Sequence, residues 1–283
     1  MKQTILVPTD FSNNSLTAAR YAIELAQQMG TDVYILHVYQ SFTSAFQTSG
    51  ANETDEQQAK LRAEDGLAEF MGKLNNVSEI QVASSAVKKS SLLDAVNDYI
   101  AENSVQLVIM GAQGESGRRQ DLLGNNTYDV AKDVSRPLLI VPEHTKNAFK
   151  LEHVVFFSDY QQGDVKSLTS FNSLFGHMRP SCTLVHIHES EDEPAESDRQ
   201  RLEEWKAVLE NETPLDNLST ELAHVPENVD AVNDILKQLN ADMTLVTLVD
   251  ARSFFKKLLH KSLARTIVLN PQTPVLLTSE DTE

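Results

Sequence analysis

The sequence predicts an α/β protein made of two tandem doubly wound domains, each a five-stranded parallel sheet of order 3-2-1-4-5 with helices on both faces. Three observations predict it. Short apolar runs rich in β-branched residues alternate with helix-length amphipathic segments, the pattern of βαβ units. One such run, Leu107-Val108-Ile109-Met110, stops at Gly111 in a glycine-bearing turn. The series of runs in the first half is then written again in the second.

In chain order, Ile5 to Val7 reads as the first strand. Ser15 to Met29 reads as a helix, with Ala18, Ala22, Leu25, Ala26 and Met29 on one face and Gly30 as its stop. Val33 to Val38 is the second strand. Gln40 to Thr54, rich in Ser, Thr, Asn and Gly, reads as a loop. Asp55 to Leu74 is the second helix, its stripe formed by Leu67, Phe70, Met71 and Leu74, and Ile80 to Ala83 is the third strand. Ser91 with Asp94 gives a near capping box for a helix carrying Leu92, Leu93, Val96 and Ile100. Leu107 to Met110 is the central strand, a helix runs from about Asn126 through Val134, and Pro137 and Pro142 bracket a last strand, Leu138 to Val141. Strands linked through helices imply right-handed crossovers. Ligands of such sheets bind outside the C-terminal strand ends, where Asp10, Val38 and Gly111 fall.

The repeat has definite offsets. Val154-Val155-Phe156-Phe157-Ser158-Asp159-Tyr160 follows Ile5-Leu6-Val7-Pro8-Thr9-Asp10-Phe11 at 149 residues, and Val185-His186-Ile187 follows Leu36-His37-Val38 at the same distance. Ala241 to Val246 answers Val105 to Met110 at 136, and Thr273-Pro274-Val275-Leu276-Leu277 answers Arg136-Pro137-Leu138-Leu139-Ile140. The join lies near Glu143 to Glu152, which sets domains at 1–146 and 147–283.

The chemistry concentrates after the central strand. Gly111 and Gly114 let backbone amides approach a ligand, and Gly124-Asn125-Asn126-Thr127 leads into a helix that these side chains could cap. A glycine turn feeding a helix N-terminus is an anion site, suited to phosphate. A Walker loop is absent, because no Gly-Lys-Ser/Thr follows at its spacing; a dinucleotide fingerprint is absent, because the first strand ends in Pro8-Thr9-Asp10. On their own, Asp10 could serve as a turn residue, Val38 as core, and matched His37 and His186 as packing.

Composition narrows the classes. A length of 283 residues with 41% hydrophobic content suffices for two packed cores. A net charge of -17 argues against nucleic acid or an anionic membrane as partner, and requires local donors for any bound anion. The single cysteine, Cys182, reads as a buried hydrophobe. No run approaches the roughly 18 apolar residues of a membrane span, and the expectation is a soluble cytoplasmic protein. No catalytic triad, Cys-x-x-Cys or His-x-x-x-His is present, and His186-x-His188 beside Glu189 is a weak metal signal.

Gly, two residues, Gly, nine residues, Gly and a following polar residue resembles the ATP-binding signature of the universal stress protein family, and the opening strand with Asp10 resembles that family's first strand. The resemblance implies ATP as ligand, with Mg2+ as its companion. It places Pro8, Thr9 and Asp10 near adenine and ribose, Val38 against the base, Met110 and Gly111 at the floor, and Gly114, Gly124, Asn125, Asn126 and Thr127 on the phosphates and ribose. Asn125 stands where the family usually has Ser or Thr, which implies weakened binding. Arg118 and Arg119 could fold over the phosphates or stay solvated.

The second copy departs at these positions. Thr247, Asp250, His260 and Leu263 stand opposite Gly111, Gly114, Gly124 and Thr127. Side chains there would block the backbone approach, and Asp250 would repel phosphate by about 1 to 4 kcal/mol at 4 Å. The expectation is one active site, in the first half, with the second half packed against it as an intramolecular pseudo-dimer; pairing of whole chains as a homodimer is a further option. Three functions follow: an ATP-binding stress sensor, a slow ATPase using Asp10, or a scaffold with a vestigial site.

Overall fold

The computed structural model describes residues 3–41, 48–75, 84–113, 124–145, 149–188, 195–213, 215, 217–224, 229–248, 267–268 and 271–279. Among the described residues, strand and helix alternate through the first half and through the second as far as its fourth strand. The first half runs β1 (Thr4–Pro8), α1 (Asn13–Met29), β2 (Asp32–Tyr39), α2 (Ser49–Asn75), β3 (Ser84–Lys89), α3 (Leu92–Glu102), β4 (Val105–Gly111), α4 (Asn125–Asp133) and β5 (Leu138–Val141). The second runs β6 (His153–Phe157), α5 (Gly163–Phe175), β7 (Ser181–His188), α6 (Glu196–Glu212), β8 (Leu218–His224), α7 (Val229–Gln238), β9 (Met243–Leu248) and β10 (Val275–Ser279).

Local chemistry sets the helix ends. Ser12 caps α1, its hydroxyl accepting from the Ser15 amide at 3.2 Å, and Gly30 closes that helix at φ +63°, a left-handed turn that costs glycine nothing. Ser91 caps α3 as expected, accepting from the Asp94 amide at 3.2 Å while its hydroxyl donates to the Asp94 carboxylate at 2.6 Å. Two expectations shift. Helix α2 begins at Ser49, inside the expected loop, because Thr48 accepts the Ala51 amide at 3.3 Å and so starts the helix before its apolar stripe does. Helix α4 begins at Asn125 with Gly124 as its cap residue, so Asn125, Asn126 and Thr127 form its first turn instead of capping it. The expected third strand at 80–83 lies outside the described residues, and Ser84–Lys89 pairs with β2.

Among the described residues, ten strands join one sheet, in the order β3-β2-β1-β4-β5-β10-β9-β6-β7-β8. Each half therefore has the order 3-2-1-4-5, all parallel within the half, as the sequence predicts. The registers repeat as well. Ile5 pairs with Val33 and Val154 with Cys182; Ile5 also pairs with Leu107 and Val154 with Met243. The halves meet where β5 and β10 pair antiparallel, with Leu139 opposite Leu276 and flanking pairs Leu138–Leu277 and Ile140–Val275. Leu139 and Leu276 are equivalent positions. The seam is thus self-complementary, the geometry of an isologous contact.

Apolar side chains cover both faces of the sheet without a break at the seam. One layer takes α1, α2, α5 and α6, with Phe70, Phe156, Phe171 and Phe175 fully buried; the other takes α3, α4 and α7. The join is packed too. Phe149 and Leu151 are buried, Tyr21 meets Phe149 edge-on at 5.1 Å, the Phe149 amide donates to Glu24, and the Asp242 carboxylate accepts the amides of Glu152 (2.8 Å) and His153 (3.0 Å). Among the described residues no helix is long and apolar enough to cross a membrane.

Candidate functional site

A cleft of about 230 Å³ opens at the C-terminal ends of β1, β2 and β4. It is lined by Pro8, Thr9, Asp10, Val38, Met110, Gly111, Gly124, Asn125, Asn126 and Thr127, ten of the residues anticipated from sequence. Gly114, Arg118 and Arg119 lie outside the described residues. Ser15, His37, Leu92 and Gln113 line the cleft as well. Of these, only His37 carried a signal, its match with His186; Ser15 differs from its counterpart in the second copy, Asp164 standing at its offset of 149.

The turn after β1 is tightly specified. Asp10 Oδ1 accepts from the Ser12 amide at 3.1 Å and its hydroxyl at 2.6 Å, folding an Asx-type turn. Thr9 Oγ1 accepts the Phe11 amide at 3.0 Å and meets Ser15 Oγ at 2.9 Å. Phe11 takes φ +68°, costly for a residue with a Cβ, and stacks on His37 with ring centroids 4.0 Å apart. His37 Nδ1 lies 2.8 Å from the carbonyl oxygen of Thr9, which can only accept, so Nδ1 carries the hydrogen. Burial holds the His37 pKa below its ordinary value. The ring is therefore neutral at physiological pH, with Nε2 left as an acceptor.

The floor depends on a glycine. A Cβ at Gly111 would fall 2.1 Å from Asn14 Oδ1 and 3.0 Å from the Asn14 carbonyl carbon, so the strand end and the first turn of α1 touch only because the side chain is missing. Across the cleft, Thr127 Oγ1 donates to the Gly111 carbonyl at 2.9 Å, pinning α4 to β4. That hydrogen is spent within the protein. Donors for an anion are then the first-turn amides of α4 at Asn125, Asn126 and Thr127, which have no acceptor inside the helix, and Gly124 brings no side chain to cover them. The positive end of the helix dipole points the same way.

The family model described as the universal stress protein family matches residues 1–142, half of the 283-residue chain. The chain belongs to the universal stress protein family. Universal stress protein MJ0531 of Methanocaldococcus jannaschii is 28% identical over 145 residues, which are 50% of this chain and 83% of the relative. Universal stress protein MJ0577 of the same organism is 25% identical over 154 residues, 50% of this chain and 95% of the relative. The crystal structure of a universal stress protein from Archaeoglobus fulgidus aligns with 98% of both chains at 17% identity and a TM-score of 0.67. A protein of Pseudomonas aeruginosa, PA1789, aligns with 99% of this chain and 93% of its own at a TM-score of 0.58 and 17% identity. These two likenesses establish the fold across both halves.

The second half of this universal stress protein keeps the turn and changes the floor. Tyr160, at φ +58°, lies over His186 at 4.2 Å, and His186 Nδ1 is 2.9 Å from the Ser158 carbonyl, repeating Phe11, His37 and Thr9. Asp164 replaces Ser15 and is only 2% exposed. Its carboxylate accepts from Ser158 Oγ, from Trp205 Nε1 at 3.2 Å, from Thr247 Oγ1 at 3.1 Å and from the Gln161 amide at 3.4 Å. Burial raises its pKa, and the four donors pull it back toward the ionised form. Thr247 is the residue opposite Gly111. Asp250, His260 and Leu263 lie outside the described residues.

Proposed function

We propose that this universal stress protein binds one ATP per chain, in the cleft of the first half, and acts as a nucleotide-responsive sensor. The observation that carries the reading is the convergence of an uncapped helix start at Gly124 to Thr127 with a glycine floor at Gly111, opposite Asp10 and Val38. The amides and dipole of α4 suit the phosphates. Val38 and Met110 give apolar contact for a base, and Asp10 with the His37 Nε2 acceptor suits the hydroxyl and amino donors of adenosine. Mg2+ would arrive with the nucleotide, and Asp10 is the carboxylate lining the cleft. Loss of the Ser/Thr hydroxyl at Asn125, and commitment of the Thr127 hydroxyl to Gly111, both favour modest affinity.

The second half serves as a built-in partner. The self-complementary pairing of β5 with β10, centred on Leu139 and Leu276, is what two identical domains would form across a twofold axis. On this reading the domains are 1–146 and 147–283, and the second, its floor filled by Thr247 and Asp164, supports the first without a nucleotide of its own.

Native mass spectrometry of the purified chain, with melting curves with and without ATP and Mg2+, tests both statements. One ATP per chain is expected, with a stabilisation of about 2.7 kcal/mol at a hundredfold excess over Kd. Two per chain would overturn the assignment of the second half. No binding would leave the scaffold function.

A further inference from the structure

The cleft does not end at Asp10. Asp10 and His37 also border a second cavity, of about 560 Å³, between the end of β2 and α2. If the phosphates sit on α4 and the base and ribose reach Asp10 and Val38, this cavity adjoins the end of the ligand remote from the phosphates. Its chemistry differs from that of the cleft. Phe11, fixed at φ +68° and stacked on His37, and Tyr39 offer flat apolar surface. Ser41 Oγ is buried with no hydrogen-bond partner among the described residues. The carboxylates of Asp10 and Asp55 outnumber the one guanidinium, that of Arg62, whose Nε donates to the Gln58 carbonyl at 3.3 Å. That balance disfavours another phosphate, while the flat rings and the unpartnered Ser41 hydroxyl suit a neutral group with hydrogen-bonding capacity.

We infer that this cavity receives an uncharged aromatic or hydroxyl-bearing substituent carried on the base or ribose of the bound nucleotide, so that the cognate ligand is larger than ATP at its nucleoside end. The inference rests on the nucleotide reading above. Its mechanism is burial: an arm that fills the cavity removes apolar surface of Phe11 and Tyr39 from water and gives the Ser41 hydroxyl a partner.

The probes are ATP and its 2′/3′-O-(N-methylanthraniloyl) derivative, which places a neutral aromatic group on the ribose, titrated against the full chain. The derivative should bind at least about tenfold more tightly than ATP. In Ala59→Trp, whose indole enters the cavity from half-exposed α2, that advantage should vanish while ATP affinity stays within about twofold; Ala59→Leu, a smaller intrusion, should remove part of it. A derivative that binds no more tightly than ATP, or an advantage that survives Ala59→Trp, overturns the inference and leaves the ATP site standing. Failure of both probes to bind defeats the nucleotide site itself, and this inference with it.

Discussion

The two halves share strand order, register and the turn after the first strand, and they part at three positions on the cleft floor. In the first half Gly111 faces Asn14; in the second Thr247 stands at the strand end, and Gly163 occupies the place of Asn14. In the first half Ser15 meets Thr9; in the second Asp164 gathers Ser158, Thr247, Trp205 and Gln161. Bulk and charge have moved together. An open floor needs a glycine on the strand and a small hydroxyl on the helix, and a closed floor can carry a buried carboxylate because its neighbours satisfy it. The shared turn and the altered floor separate what the fold requires from what the proposed ligand would require.

The largest effect should come from removing the keystone of the closed half. Asp164→Ala leaves the Ser158 hydroxyl, the Thr247 hydroxyl and the Trp205 indole N–H without their acceptor, and should cost about 3 to 4 kcal/mol in urea unfolding. Ser15→Ala, its counterpart, loses one hydroxyl pair and should cost about 1 kcal/mol. Equal losses would mean that the carboxylate is a bystander.

Next in size is the exchange of the floors. Gly111→Thr puts a side chain against Asn14 and should destabilise by about 2 to 3 kcal/mol while abolishing nucleotide binding. Adding Asn14→Gly, which copies the pairing of the second half, should recover about 1 kcal/mol of stability and none of the binding. A double mutant that only sums the two losses would show that Gly111 and Asn14 are not coupled.

Thr127→Val is a smaller test. The hydroxyl that joins α4 to Gly111 is lost at nearly constant volume, at a cost of about 1 kcal/mol. Because its hydrogen is already spent, ATP affinity measured by calorimetry should fall no further than this loss of stability allows. A drop of a hundredfold or more, equivalent to about 2.7 kcal/mol, would return Thr127 to direct phosphate contact.

Much of this was legible in the sequence because the signals were periodic. Alternating apolar runs and the offsets of 149 and 136 specified the strand-helix alternation, the parallel sheet and its repetition, which depend on pattern more than on any one residue. The cleft was legible for a different reason: glycines and strand-end residues mark where backbone must bend or be approached. What stayed hidden depends on contacts between distant segments. Nothing local says that Thr48 starts α2, that Thr127 turns toward Gly111, or that Phe149 in a polar join packs on Tyr21. Asp164 looks like an ordinary first-turn acid until Trp205 and Thr247 are brought to it.

The finest discrimination between the halves is a pH effect, and its sign is unusual. A carboxylate stabilised in the native state has a depressed pKa, so its contribution is lost as pH falls. Asp164 has the opposite shift, because burial outweighs its donors and raises the native pKa above the unfolded value. Between those two values the native state binds more protons than the unfolded one, and stability from this group rises as pH falls. The first half has an uncharged serine at the equivalent place and no such term. Urea midpoints of the wild type and Asp164→Asn, measured from pH 7 downward, should therefore shift in favour of the wild type as pH drops toward the ordinary carboxylate range, while Ser15→Ala follows the wild-type slope. A wild type that instead loses ground to Asp164→Asn on acidification would mean that the hydrogen bonds win over burial, making Asp164 a stabilising anion and not a tolerated one.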